Sequence, residues 1–109
     1  MAVLTPKQLG QAAITVSATP VYTVPANTVG VIQSIDIVNT ASATRTVRVH
    51  IVPSGGSVST ANALIYDMSI AASGELSYAG PLMIEAAGFI SVLASDTGLT
   101  ITVSGFEHV

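Results

Sequence analysis

Apolar and polar residues alternate along most of this chain with a period of two. In the two clearest runs, residues 46–51 and 99–104, an apolar side chain occupies every second position and a polar one lies between. This is the spacing of a β-strand with one buried face, and the Val, Ile and Thr that dominate both runs suit a pleated surface. Six residues are therefore expected to share one core: Val47, Val49, Ile51, Leu99, Ile101 and Val103.

Short segments rich in Gly, Pro, Asn and Ser separate the apolar runs at intervals typical of turns. Residues 39–44 are expected to form a hairpin connection, and the polar residues 53–63 a surface loop. Many short strands without a helical pattern indicate an all-β fold, a single antiparallel β-sandwich of jelly-roll or Ig-like type. The predicted strands lie at 13–17, 20–24, 29–39, 45–52, 64–70, 75–79, 82–86, 89–95 and 99–106.

The first residues depart from this alternation. Residues 1–12 have no clear period, yet they include two leucines with a proline between them. Because leucines on a loose end would face water, we expect an extended N-terminal arm over residues 1–12 that packs against a neighbouring molecule. Residues 13–109 would then form the sandwich domain. The residues expected to make the contact are Leu4, Pro6 and Leu9.

The small number of charged residues indicates a surface that associates with other protein. Half of the chain is hydrophobic and only 8% is charged, with three Lys or Arg, six Asp or Glu and no Cys. A surface with so few charges is poorly protected against association, so we expect either a homo-oligomer, a trimer with closed rotational symmetry, or a tightly bound partner surface. So few cations argue against a nucleic-acid partner and against an anionic membrane.

The residue pattern predicts no catalytic residue, no metal site and no cofactor, and so no enzyme. His50 and His108 are expected to be exposed, and no set of three or four convergent metal ligands is suggested. The six acidic residues are dispersed, and neither a Gly-X-Ser-X-Gly elbow nor a phosphate-binding loop occurs. We expect Asp36 to point outward and to pair with Arg48 on the next strand.

Three segments carry a resemblance to a known class. They are Val21-Tyr22-Thr23-Val24-Pro25-Ala26-Asn27-Thr28, a strand ending in Asn39-Thr40, and a strand ending in Val52-Pro53-Ser54-Gly55-Gly56. With the closing Thr100–Glu107, they resemble small structural proteins of tailed-bacteriophage virions over most of residues 20–109. That class includes capsid decoration (cement) proteins and tail-associated β-sandwiches, and the resemblance implies no catalytic residue.

The resemblance implies a non-enzymatic protein on the virion. The first hypothesis is a capsid decoration protein that oligomerises and stabilises the lattice of the major capsid protein. The alternative is a tail or baseplate β-sandwich that touches host-surface glycans, which a solvent-facing aromatic cluster would favour. A small glycan-active enzyme is a third hypothesis, and it would require two acidic residues that converge in a pocket.

Overall fold

The computed structural model describes the backbone of residues 4–109 and the side chains of residues 8–109. Eight strands account for most of this part of the chain, and a single turn of 3-10 helix, Thr60–Asn62, precedes the fifth strand. The strands are β1 (Leu4–Ala13), β2 (Thr19–Thr23), β3 (Val29–Asn39), β4 (Arg45–Val52), β5 (Ala63–Ile70), β6 (Glu75–Ile84), β7 (Phe89–Ala94) and β8 (Leu99–His108).

The strands form two antiparallel four-stranded sheets. Sheet A has the order β1-β8-β3-β6, and sheet B has the order β2-β7-β4-β5. The pairs β1·β8, β2·β7, β3·β6 and β4·β5 are those of one long antiparallel hairpin that has been folded over into two layers. This is the jelly-roll topology, so the prediction of an all-β antiparallel sandwich is confirmed, and of its two types the strand order gives the jelly roll.

The core lies between the two sheets. Five of the six residues predicted from the alternation are at most 1% exposed. The sixth, Ile51, is only half-buried, because it lies at an open end of the sandwich where the two sheets separate. The largest fully buried apolar side chains are Val24, Ile32, Ile35, Ile37, Val47, Val49, Val52, Ile90, Leu99, Ile101 and Val103.

The connection after β3 differs from its prediction. Residues 40–44 do not close a hairpin, since β3 lies in sheet A and β4 in sheet B. The chain instead crosses from one layer to the other, as a folded-over ribbon requires at each corner. Alternation reports which face of a strand is buried but not which sheet the strand joins, and so a crossing and a hairpin give the same pattern.

Two further strand predictions are corrected. Residues 14–18 are irregular, and β1 lies before them. The strands predicted at 75–79 and 82–86 are replaced by a single strand, β6, which continues through Pro81 and ends at Ile84. Proline lacks an N–H group and so interrupts central strands, but β6 is at an edge of sheet A, where this loss is tolerated.

The N-terminal segment is part of the sandwich. Its backbone from Leu4 to Ala13 pairs with β8 of the same chain, from Leu4 opposite His108 to Ala13 opposite Thr100. The described part of the expected arm is thus an edge strand of sheet A and does not extend away from the sandwich. Pairing in this way satisfies the backbone groups on the outer side of β8, which would otherwise form an open edge. Residues 1–3 lie outside the described residues.

One buried amide fixes a corner of the fold. The side chain of Asn39, at the end of β3, is fully buried. Its Nδ2 donates to the carbonyl oxygens of Ala43, Ile70 and Ala71 at 3.0, 3.0 and 3.2 Å, and its Oδ1 accepts from the Ala41 N–H at 2.9 Å. Asn39 therefore links both crossings at this end, the one from β3 to β4 and the one from β5 to β6.

Candidate assembly surfaces

The two histidines differ in exposure: His108 is exposed, as expected, and His50 is not. His50 is buried, contrary to the prediction of an exposed strand histidine, because the 53–62 loop folds over the outer side of β4. Its Nδ1 lies 3.0 Å from Oδ1 of Asn62. That oxygen also accepts from the Ser59 N–H, while Nδ2 of Asn62 donates to the Ser57 carbonyl. These bonds fix the amide orientation, so His50 Nδ1 is the donor to Asn62 and its role is to hold the loop.

A second buried polar pair is also structural. Tyr22 of β2 donates its hydroxyl to Oε2 of Glu107 on β8 at 2.7 Å, across the two sheets. Burial, and then this hydrogen bond, raise the pKa of Tyr22 well above its ordinary value of about 10. The pair joins one end of the two layers. Within residues 4–109, no three His, Asp or Glu groups converge as metal ligands.

Each edge strand carries a feature that blocks further strand pairing. The edges are β1 and β6 of sheet A and β2 and β5 of sheet B. Three of them contain a proline, namely Pro6, Pro20 and Pro81, and the register of their pairing shifts at or near that residue. In β5 the register shifts around Asp67, which has a left-handed backbone with φ of 52°. Prolines and bulges at edges oppose strand addition, so association through the faces is favoured over association through the edges.

The outer face of sheet B carries one ordered polar cluster. In the Tyr66–Arg48–Asp67 cluster, Arg48 Nε and Nη2 donate to the two carboxylate oxygens of Asp67 at 2.6 and 3.1 Å. The guanidinium carbon lies 4.2 Å from the centre of the Tyr66 ring, which is 48% exposed. The expectation that Arg48 pairs with Asp36 is wrong. Asp36 lies in sheet A, where it accepts a hydrogen bond from Ser77 at 2.8 Å.

The bulge in β5 creates this cluster. Between the paired positions Val47–Met68 and Val49–Ile65, two residues of β5 lie opposite Arg48 alone. Strict alternation would place Tyr66 and Asp67 on opposite faces of the sheet, whereas the bulge leaves both side chains exposed beside Arg48. The hydrogen bonds raise the pKa of Arg48 and lower that of Asp67. The pair is solvent-exposed, so it orders the Tyr66 ring more than it stabilises the fold.

The outer face of sheet A is polar and has little charge. A row of polar side chains crosses all four strands, in the order Gln11, Thr102, Asp36 and Ser77. Gln11 Nε2 donates to Thr102 Oγ1 at 3.1 Å, and Ser77 donates to Asp36. Three of the four side chains in this row are uncharged, so contact with another protein surface would desolvate few charges.

An apolar groove opens at one end of the sandwich. It has a volume of about 320 Å³ and lies between the start of β3 and end of β6 in sheet A and the end of β4 in sheet B. Its base is buried, whereas Met83 on its rim is 72% exposed, the largest exposed fraction among the large apolar residues described. We call it the end groove, and it is lined by Val29, Ile51, Val52, Pro53, Met83, Ile84 and Glu85.

The predicted contact residues are placed as follows. Leu9 is half-buried and packs against the core of its own chain, at the shift in register between Gln8 and Gly10. Leu4 and Pro6 occupy backbone positions in β1 opposite His108 and Phe106, and their side chains lie outside the described residues. Their contact with a neighbouring subunit stays a prediction.

Sequence reasoning missed the end groove and the Tyr66–Arg48–Asp67 cluster, although the sequence contained part of the signal for the groove. Met83 has the parity of the exposed Glu75, Ser77 and Ala79 in β6, so strict alternation through Pro81 would have placed this apolar side chain outside. The cluster around Arg48 was not accessible in this way, because the bulge in β5 has no marker in the sequence.

Comparison with known proteins supports the fold. No protein-family model matches this chain, and no curated protein matches it. The chain is similar to one in the "Structure of infectious bursal disease virus Gx strain", with a TM-score of 0.51. The match covers 98% of this chain at 7% sequence identity. It covers 31% of that viral chain, so this protein spans less than a third of its length.

The likeness concerns architecture. At 7% identity it shows a shared fold, and that fold belongs to a chain in a virus structure. The virus is not a tailed bacteriophage, so the resemblance to phage virion proteins stays a proposal. Among residues 4–109, no helix has the length and apolar character needed to cross a membrane.

Proposed function

We propose that this chain is a non-enzymatic virion structural protein. In the specific form of the proposal it decorates the capsid of a tailed bacteriophage as a trimer and bridges neighbouring major capsid subunits. The observation that carries the proposal is the strand order β1-β8-β3-β6 over β2-β7-β4-β5, a jelly roll shared over 98% of this chain with a chain in a virus structure. Jelly rolls also occur in lectins and cupins, so surface chemistry must distinguish among these uses.

The surface favours protein contact. With 8% charged residues, interrupted edges and a polar face of little charge on sheet A, the molecule is suited to contacts that desolvate few charges. A protein that binds the assembled lattice but not its loose subunits stabilises the shell by mass action. No chemistry beyond binding is required for this role.

A tail or baseplate role with glycan binding is the alternative. Sugar rings stack on exposed aromatic faces, and the chain has two Phe, three Tyr and no Trp. All five lie in the described part, where Tyr66 alone is exposed and Arg48 covers one face of its ring. This arrangement favours a protein partner over a glycan, because Tyr and Arg are enriched at the centres of protein interfaces.

Location on the particle tests the proposal. We would raise antibodies against the recombinant protein and probe gradient-purified particles of the phage whose genome encodes it, by quantitative mass spectrometry and immunogold electron microscopy. We expect stoichiometric amounts over the capsid surface. A copy number restricted to the tail would favour the alternative, and absence from the particles would refute a virion role.

Oligomeric state is tested separately. Sedimentation velocity over a range of protein concentrations should show the mass of three chains. A monomer at every concentration, when free in solution, would refute the trimer but not the location on the particle.

A further inference from the structure

We infer that the end groove is the attachment site of this protein on the particle, and that it receives an apolar side chain flanked by a Lys or Arg of a different protein. The inference rests on the proposed function and names its contact. Three observations support it: the exposed apolar rim, the single carboxylate beside it, and the state of this chain's own cations.

The first observation is the exposed apolar surface at this end. Met83 stands 72% exposed above a base formed by the buried Val52 and Ile84. Val109, 60% exposed, follows His108, which pairs with Val29 of the same groove. A buried apolar base with a flexible methionine on its rim can adjust its shape to an inserted side chain. A cavity of about 320 Å³ accommodates one large side chain and little more of the partner.

The second observation is charge. Among the residues 8–109, whose side chains the structure describes, Glu85 is the only charged residue that lines the groove, and it is exposed. Within the described part of the chain, its carboxylate has no ion-pair or hydrogen-bond partner from a side chain. A carboxylate beside an apolar cavity attracts a cation next to the inserted group and repels an acidic residue there.

The third observation separates a foreign partner from a second copy. Arg45 and Arg48 are the two cations whose side chains the structure describes, and both are engaged. Arg48 is bound by Asp67, while Arg45 donates to the Thr97 carbonyl at 2.8 Å and lies 3.8 Å from Asp96. A second copy could offer neither of these two arginines to Glu85 without breaking its pair, and it would also bring its own net charge of −3. Charge complementarity therefore favours a basic segment of another protein.

Two variants with matched controls test the contact. Met83→Ser removes the apolar rim, and Glu85→Lys reverses the charge. Met68→Ser and Glu75→Lys make the same changes at exposed positions of β5 and the start of β6, outside the groove. All four positions are exposed, so the fold should be retained, and the circular dichroism spectrum and Tm of each variant would be compared with those of the wild type.

Attachment would be measured on purified particles that lack the protein. We expect each groove variant to weaken binding about tenfold and each control variant to stay within about twofold of wild type. Glu85→Gln should fall between wild type and Glu85→Lys. The groove assignment would be overturned if the groove variants bound as well as the wild type, or if the control variants lost binding to the same extent. Either result would leave the virion role standing. Failure of the wild type itself to bind would instead overturn the proposed function.

Cross-linking identifies the occupant. With the photoreactive p-benzoylphenylalanine in place of Met83, irradiation on particles followed by mass spectrometry should link position 83 to a particle protein within two residues of a Lys or Arg. Cross-links to a second copy of this chain would overturn the assignment to a foreign partner. Cross-links to a segment without a basic residue would overturn the role of Glu85.

Discussion

Replacement of Asn39 by alanine should remove the link between the two crossings at one end of the sandwich. The side chain supplies two N–H donors, shared among the carbonyls of Ala43, Ile70 and Ala71, and one acceptor for the Ala41 N–H. Loss of the bond to the Ile70 carbonyl, which is buried, costs about 1–3 kcal/mol, and the part-buried bonds cost roughly 0.5–1.5 kcal/mol each. The sum, after partial rehydration, is about 3–5 kcal/mol of unfolding free energy.

This loss is large beside the whole stability of a domain, about 5–15 kcal/mol. For a chain of 109 residues it corresponds to a Tm lower by roughly 12–20 °C. Equilibrium unfolding in urea, followed by circular dichroism, measures the change. The matched control is Thr40→Ala, which removes one exposed hydrogen bond to the Gly98 carbonyl and should cost less than about 1 kcal/mol.

A second substitution tests the reason for the loss. Asn39→Asp keeps the acceptor but places a carboxyl group among carbonyl oxygens, which raises the pKa of the introduced group above its unfolded value of about 3.9. When the pKa of a group is higher in the folded state than in the unfolded state, that group stabilises the fold at pH values below its unfolded pKa. This stabilisation is lost as the pH rises. Asn39→Asp should therefore be more stable than Asn39→Ala near pH 4 and less stable at pH 7. A pH-independent difference between the two variants, or an alanine variant no weaker than Thr40→Ala, would refute the proposed link.

Two other substitutions and one deletion test separate features. Tyr22→Phe should lower stability by about 1–2 kcal/mol at pH 7. Because the pKa of Tyr22 is raised in the fold, the wild type should also lose stability as pH rises above about 10. Tyr22→Phe should lose less stability over the same pH range, and urea unfolding at each pH measures the difference. Arg48→Gln should return the lowered pKa of Asp67 to its ordinary range, measured by carboxyl ¹³C NMR titration. Deletion of residues 1–12 should destabilise the domain in urea unfolding, because β8 loses its paired strand and the core loses Leu9.

The sequence predicted most of the strands and the core because both depend on local alternation. The predicted bounds 29–39 and 45–52 are those of β3 and β4, and the predicted core residues Val47, Val49, Leu99, Ile101 and Val103 are buried. The first strand was missed because proline and glycine interrupt its period, and its pairing with β8 is a contact between the two ends of the chain. Such long-range pairing leaves no periodic signal.

The candidate surfaces were less predictable for a different reason. His50 lies at a polar parity and is nevertheless buried, because the 53–62 loop covers it and contacts it through Asn62, twelve positions later in the chain. The Tyr66–Arg48–Asp67 cluster depends on a bulge, and the end groove depends on how two sheets separate at their ends. Each is a property of tertiary packing, which composition and spacing do not determine.

The distribution of proline connects the low surface charge with the proposed assembly. A sandwich with so few charges lacks the usual electrostatic protection of exposed strand edges, so uncontrolled edge pairing is its main hazard. Three of the five prolines lie in edge strands and none in the central strands β3, β4, β7 and β8, while the remaining edge, β5, is bulged. Association is thereby directed to the outer faces and the end groove, where side-chain complementarity selects the partner. An interface of that kind can close into a defined complex, whereas open edges would add strands without limit.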